Sequence, residues 1–227
     1  MFEEPLSPAE IRVLGALIEK EMATPDYYPL TMNALVNACN QKSNRDPVVD
    51  YSEGEVQRAV DGLRDRQLAF RVSTVDGRVP KYEQNLAKKL QLTLQESAVL
   101  CVLMLRGIQT MGEIRGRTGR LYPFDDMEEV AVALDSLADR PETALVRPLP
   151  VQPGQKEPRF AHLLGGEPEI AEPALATRET HQMGARPSEK IGELETEVET
   201  LRAEIQTLKL EIAELKAAFF QFKRQFE

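Results

Sequence analysis

Glu55-Val-Gln-Arg-Ala-Val-Asp-Gly-Leu-Arg-Asp-Arg66 returns as Glu129-Val-Ala-Val-Ala-Leu-Asp-Ser-Leu-Ala-Asp-Arg140, with seven of twelve positions identical. Apolar residues recur in both copies at helical spacing, so each is read as one amphipathic helix. Upstream, Ser7 and Thr93 each stand three residues ahead of a glutamate, Glu10 and Glu96, the capping box that opens a helix. Ile11, Leu14, Leu17 and Ile18 follow the first box, and Val99, Leu100, Leu103 and Met104 the second. Shorter helical stretches, Thr31 to Asn40 and Thr110 to Thr118, lie between. Downstream, Leu68 to Val75 and Arg78 to Gln84 flank Asp76-Gly77, a dipeptide suited to a tight hairpin turn. Leu145 to Val151 and Pro158 to Leu164 flank Pro153-Gly154-Gln155 in the same way. Each unit reads as helix, short helix, longer helix and hairpin, which is the winged-helix order. The fold expected is mainly α with small β-wings: two tandem winged-helix domains, 1–90 and 91–165.

Beyond them the chain changes character. Residues 166–188 are rich in proline, glycine and small polar residues and read as a linker. Residues 189–227 then keep a strict heptad. Ile191, Val198, Ile205, Ile212, Phe219 and Phe226 take position a, and Leu194, Leu201, Leu208, Leu215 and Phe222 position d. β-Branched residues at a with leucine at d favour a parallel two-stranded coil. Glu197, Glu204 and Glu211 at g precede Arg202, Lys209 and Lys216 at e, opposite charges that meet only in the parallel arrangement. A homodimer through a C-terminal coiled-coil helix is expected.

With 42% apolar and 29% charged residues, the composition suits a globular chain rather than wholesale disorder. The net charge of −9 excludes a surface coated in basic residues, so any nucleic-acid contact must come from a local patch. Residues 1–90 have the least acidic balance, so any DNA-reading face is expected there. No apolar run is long enough to span a bilayer, and Met1-Phe2-Glu3-Glu4-Pro5 is acidic where a secretory signal would be basic. Cys39 and Cys101 form no disulfide or metal pattern and read as core residues. A cytoplasmic protein without membrane contact is expected.

The stretch Thr24-Pro-Asp-Tyr-Tyr-Pro-Leu-Thr-Met-Asn-Ala-Leu35, with Asn40-Gln-Lys-Ser-Asn-Arg-Asp-Pro47, resembles the bacterial YceH-like family of uncharacterised tandem winged-helix proteins. The resemblance covers residues 5–165. It implies the double winged-helix fold and cytoplasmic residence in bacteria, and it brings no reaction, ligand or DNA target.

The candidate DNA contacts come from three places in the first unit. Val56, Ala59, Val60 and Leu63 mark the buried side of the longer helix, leaving Gln57 and Arg58 on the outer face with Asp61 and Asp65. Gln57 suits adenine and Arg58 suits guanine, although the two acids oppose phosphate approach. Lys42, Ser43, Asn44 and Arg45 supply a compact set of cations and neutral donors for phosphate. The alternative for that loop is a hydrogen-bonded brace within the domain. Arg71, Arg78 and Lys81 lie on the wing strands.

The second unit replaces Gln57 and Arg58 by Ala131 and Val132 and keeps the acids at Asp135 and Asp139, an outer face better suited to protein. Arg115, Arg117 and Arg120 read as surface charge complementing a helix C-terminus. His162 and His181 stand in no metal-ligand spacing or nucleophile motif, so no enzyme, cofactor or metal is expected. The reading expected is a DNA-binding transcriptional regulator dimerised by the coil, contacting double-stranded DNA; the alternative is a winged-helix protein–protein interaction or scaffold module that binds no DNA, its second domain facing another protein. Fold alone does not separate them.

Overall fold

The computed structural model describes residues 4–72, 79–140, 144–151, 155 and 157–168. The chain divides into two units, Met1–Pro173 and Ala174–Glu227. All of the described residues belong to the first. The linker from 169 onward, the heptad segment with its proposed dimer residues Ile191, Leu194, Val198, Leu201, Ile205, Leu208, Ile212, Leu215, Phe219 and Phe222, the turn residues Asp76, Gly77, Pro153 and Gly154, and Arg78 lie outside them.

The described part is mainly helical with two small antiparallel sheets. Its first half runs α1 (Pro8–Ala23), β1 (Leu30–Thr31), α2 (Met32–Cys39), α3 (Glu53–Asp65), β2 (Ala69–Val72) and β3 (Lys81–Gln84). A short α4 (Leu86–Lys89) leads into the second half: α5 (Leu94–Arg106), β4 (Gln109–Thr110), α6 (Met111–Thr118), α7 (Met127–Ala138), β5 (Val146–Leu149) and β6 (Arg159–His162). The element order is the same twice, and so is the sheet order, β1-β3-β2 and β4-β6-β5.

Local chemistry sets the helix starts. The Ser7 backbone N–H donates to Glu10 Oε2 at 2.8 Å, and that of Thr93 to Glu96 Oε2 at 2.7 Å, completing both expected capping boxes. Ser52 with Glu55 and Thr110 with Glu113 form two more. Asp126 caps α7 by accepting from the Glu129 backbone at 2.9 Å, so the acids at 125–129 begin a helix, where carboxylates also complement the dipole.

The two halves share one core, joined along α1 and α5. Every residue of α5 from Glu96 to Leu105 is buried, and α1 is buried continuously from Arg12 to Ile18. A helix apolar all round must be covered all round. The two backbones approach closely at Gly15, where an added Cβ would lie 2.9 Å from Leu105 Cδ2 and 3.2 Å from Met104 Cβ. Cys101 Sγ donates to the Gly15 carbonyl at 3.4 Å, and both cysteines are buried and free. The far end of the second half returns to the first: the Leu6 N–H donates to the Leu164 carbonyl at 2.8 Å.

Candidate interaction surfaces and the junction cleft

The loop after α2 proves to be a brace. Arg45 is buried, and its guanidinium donates to both Glu19 oxygens at 2.7 and 3.1 Å and to the Ala38 carbonyl at 2.7 Å. Its fork is filled by partners inside the protein, so the expectation that Arg45 meets phosphate is corrected. Burial alone would raise the Glu19 carboxyl. The Arg45 hydrogen bonds and charge, with Lys20, outweigh burial and hold it below the usual range.

The rest of the loop ties into both halves. Arg12 donates to the Pro47 carbonyl at 2.6 Å, and the Asp46 N–H donates to the Leu105 carbonyl of α5 at 2.9 Å. Asn44 accepts from Arg106 through Oδ1 and takes a left-handed backbone at φ 60°, which asparagine tolerates well. Lys42, Ser43 and Asn44 are exposed.

On α3 the buried side is the expected one, Val56, Ala59, Val60 and Leu63. Gln57 is half-buried and engaged within the protein. Its amide donates to both Asp61 oxygens at 3.0 Å and its oxygen accepts from the Tyr82 hydroxyl at 3.4 Å, so it couples α3 to the sheet instead of offering a free edge to a base. Asp61 also pairs with Arg64 at 3.0 Å. Arg58 stays exposed, beside a groove formed with Ser7, Glu10 and Glu55.

The hairpin separates its own cations. Arg71 pairs across the sheet with Tyr82, and paired residues of an antiparallel ladder share a face. Lys81 precedes Tyr82 and therefore lies on the opposite face, with Val72. The described candidates are thus spread over the interior, a groove beside α1, two sheet faces and the junction between halves.

The second half is different. Its α7 buries Val130, Ala133, Leu134 and Leu137 and turns Val132 outward, 63% exposed, with Met127 at 39%. Glu128, Asp135 and Asp139 are exposed around them, while Ala131 is half-buried.

A feature missed in the sequence reading lies where α1, α2, α5 and α6 all end. Lys20, Arg106, Arg117 and Arg120 line a cleft of about 340 Å³ with Glu19, Gln41, Ser43 and Asn44, over a floor that includes Val102, Leu105 and Leu121. The available signal was the cation in the last turn of α1, α5 and α6.

Among the described residues, burial governs both thiols and His162. Burial pushes the Cys39 thiol up to about 12 against the pull of Arg45 and Arg12, and burial raises Cys101 as well. His162 is held down to about 4 by burial, with Nδ1 shut off from any partner. No cluster of three or more metal-ligating side chains occurs among the described residues. None of their helices is long and apolar enough to cross a membrane.

Residues 6–155 match a family model described as a protein of unknown function, DUF480. Similar chains include a UPF0502 protein of Solibacter usitatus, 51% identical over 225 residues and covering 98% of both chains. A UPF0502 protein of Geobacter sulfurreducens is 50% identical over 198 residues, 86% of this chain and 90% of that one. One from Vibrio atlanticus is 49% identical over 201 residues, 87% and 92% of the two chains. The strings Thr24–Leu35 and Asn40–Pro47, on which the resemblance rested, fall inside the matched span. The chain belongs to the DUF480 family, the bacterial UPF0502 proteins, as that resemblance implies.

Proposed function

We propose that this chain is a protein-interaction module made of two winged-helix units fused through α1 and α5, carried as a cytoplasmic homodimer by the heptad segment. The helix–strand–helix–helix–hairpin order, present twice with the same sheet order, supports the winged-helix reading. The heptad in the sequence supports the dimer.

The observation that carries the interaction reading is the outer face of α7. In the repeat, Val132 stands where Arg58 stands in the first unit, and Val132 with Met127 is exposed among Glu128, Asp135 and Asp139. A phosphate approaching that helix would meet three carboxylates. An apolar side chain flanked by basic groups on a partner protein would fit both the valine and its surroundings.

The second reading, a transcriptional regulator bound to double-stranded DNA, retains Lys42, Arg58, Arg71 and Lys81, none of which is in a salt bridge among the described residues. Their spread, with Arg45 buried and Gln57 held by Asp61 and Tyr82, favours the interaction module.

A photo-crosslinking residue at position 132 of the full chain, expressed in a bacterial host of the family, tests the choice. The module reading expects a protein adduct from position 132, none from position 58, and no salt-sensitive duplex binding. Binding to duplex at ~50 mM salt that falls steeply with added salt and is lost in Arg58→Gln, with no protein adduct at 132, would overturn it.

A further inference from the structure

We propose that the cleft at the junction of the two halves binds a small phosphate-bearing anion, held by Lys20 and by Arg106, Arg117 and Arg120. The cations come from both halves: Lys20 from α1, Arg106 from α5, and Arg117 and Arg120 from α6 and the turn after it. An anion there touches both units at once.

The charge balance favours an anion. Among the described residues Glu19 is the one carboxylate in the lining; Arg45 grips both of its oxygens from behind, and Lys20 stands 3.4 Å from one of them. Arg117 shares Glu113 at 3.3 Å, with both side chains about one-third exposed, a weak pairing an anion can displace. Arg106 and Arg120 are in no salt bridge among the described residues. The four converging helix ends each bring a partial negative charge of about one half, and part of the cationic charge answers them. Burial, then the neighbouring Arg117 and Arg45, lower the Arg106 pKa against the opposite pull of Glu19 and Asp46.

Shape and chemistry narrow the ligand. Three guanidinium forks from different elements match several oxygens on one centre, as in a phosphate ester or pyrophosphate. The exposed Ser43 adds a neutral donor, and Val102, Leu105 and Leu121 give an apolar floor for the rest of a small molecule. A volume of about 340 Å³ is that of a small-molecule pocket rather than a groove tracking a duplex. Added Cβ atoms at Gly116 and Gly119 would meet nothing within 4 Å, so the lining is open there.

The test titrates the full chain with sodium pyrophosphate and follows heat and thermal unfolding, with sodium sulfate and sodium chloride at matched ionic strength. We expect saturable binding of pyrophosphate and a rise in Tm beyond that in either salt. In the double variant Arg117→Gln/Arg120→Gln, both exposed enough to leave the fold intact, affinity falls by at least about tenfold while the ligand-free Tm stays put. Arg106→Gln should weaken binding similarly. An equal Tm rise in chloride or sulfate, no heat of binding, or unchanged affinity in the double variant each overturns the proposal. Duplex DNA binding that needs Arg117 and Arg120 while pyrophosphate leaves the chain unaffected overturns it too, since the phosphate source is then a nucleic-acid backbone.

Discussion

Arg45 and Glu19 form a buried ion pair, 2.7 Å from Nη2 to Oε2, that fastens the loop after α2 onto α1. The same loop reaches α5 through the Asp46 N–H and Asn44 Oδ1, so its role is to hold two halves together. Removing one partner of a buried pair strands the other charge, and that costs more than the pair contributes. Arg45→Ala should therefore destabilise the chain by about 3–5 kcal/mol in urea unfolding. Lys42→Ala, three residues away and exposed, should stay within about 0.5 kcal/mol. Equal effects would show that Arg45 is not the brace described here.

The α1–α5 seam makes its own prediction. A side chain at Gly15 meets Leu105 and Met104 at 2.9–3.2 Å, so Gly15→Val must push the helices apart or force Leu105 off its rotamer. Overpacking of this kind costs about 1–3 kcal/mol. Gly116→Ala, where an added Cβ meets nothing, should be neutral or stabilising, because alanine is the better helix former. Thermal unfolding of the two variants side by side checks this.

The repeat made the element order legible from the sequence, since capping boxes and 3.6-residue periodicity act within a few residues of each other. Long-range roles were not legible. Arg66 and Arg140 matched in the repeat, but only the structure shows why: they stand 3.7 and 3.9 Å from Glu10 and Glu96, the capping glutamates of α1 and α5. At the equivalent positions between them, Ser136 Oγ donates to Glu96 Oε1 at 2.7 Å, whereas Gly62 leaves room for Glu10, whose Oε1 lies 2.5 Å from where a Cβ would sit.

Arg45 misled because an arginine between Asn44 and Asp46 reads equally well as a surface cation or a buried anchor. The burial of α5 on all sides has its signal in the unbroken apolar run Ala98 to Leu105, which the periodic reading of Val99, Leu100, Leu103 and Met104 passed over. The junction cleft had no contiguous signal, since Lys20 stands far along the chain from Arg106, Arg117 and Arg120 and joins them only through the packing of α1 on α5.

The heptad segment gives a prediction independent of the described fold. In a parallel in-register dimer, equivalent d positions lie side by side, so Leu194→Cys in a background lacking Cys39 and Cys101 should crosslink to itself on oxidation. Crosslinking only between Cys at 194 and Cys at 222 would mean an antiparallel pair. A monomer by sedimentation at micromolar concentration would remove the dimer.

His162 makes stability depend on pH in a window of its own. It closes β6 beside Gly165, with Nδ1 buried and unpaired, and burial holds its folded pKa near 4 against an ordinary value near 6.5. The fold therefore keeps it neutral. In the unfolded chain the ring takes up a proton as pH drops through about 6.5, while in the folded chain it does not until about pH 4. This contribution is fully present above the unfolded value and is lost progressively as pH falls from 6.5 towards 4. The whole loss is on the order of 3 kcal/mol at 1.36 kcal/mol per unit. Glu19 and Glu96, whose folded carboxyls sit below the usual range, add their own losses only at lower pH, as protonation reaches the carboxylates. Glu21, raised by burial, works in the opposite sense, so the comparison needs a variant. Urea unfolding at pH 7 and at pH 5 should show the wild type losing more stability than His162→Gln between the two. The difference in slope carries the assignment, whatever the substitution does at pH 7. Equal slopes would mean that the His162 ring is protonated in the fold as readily as in the open chain.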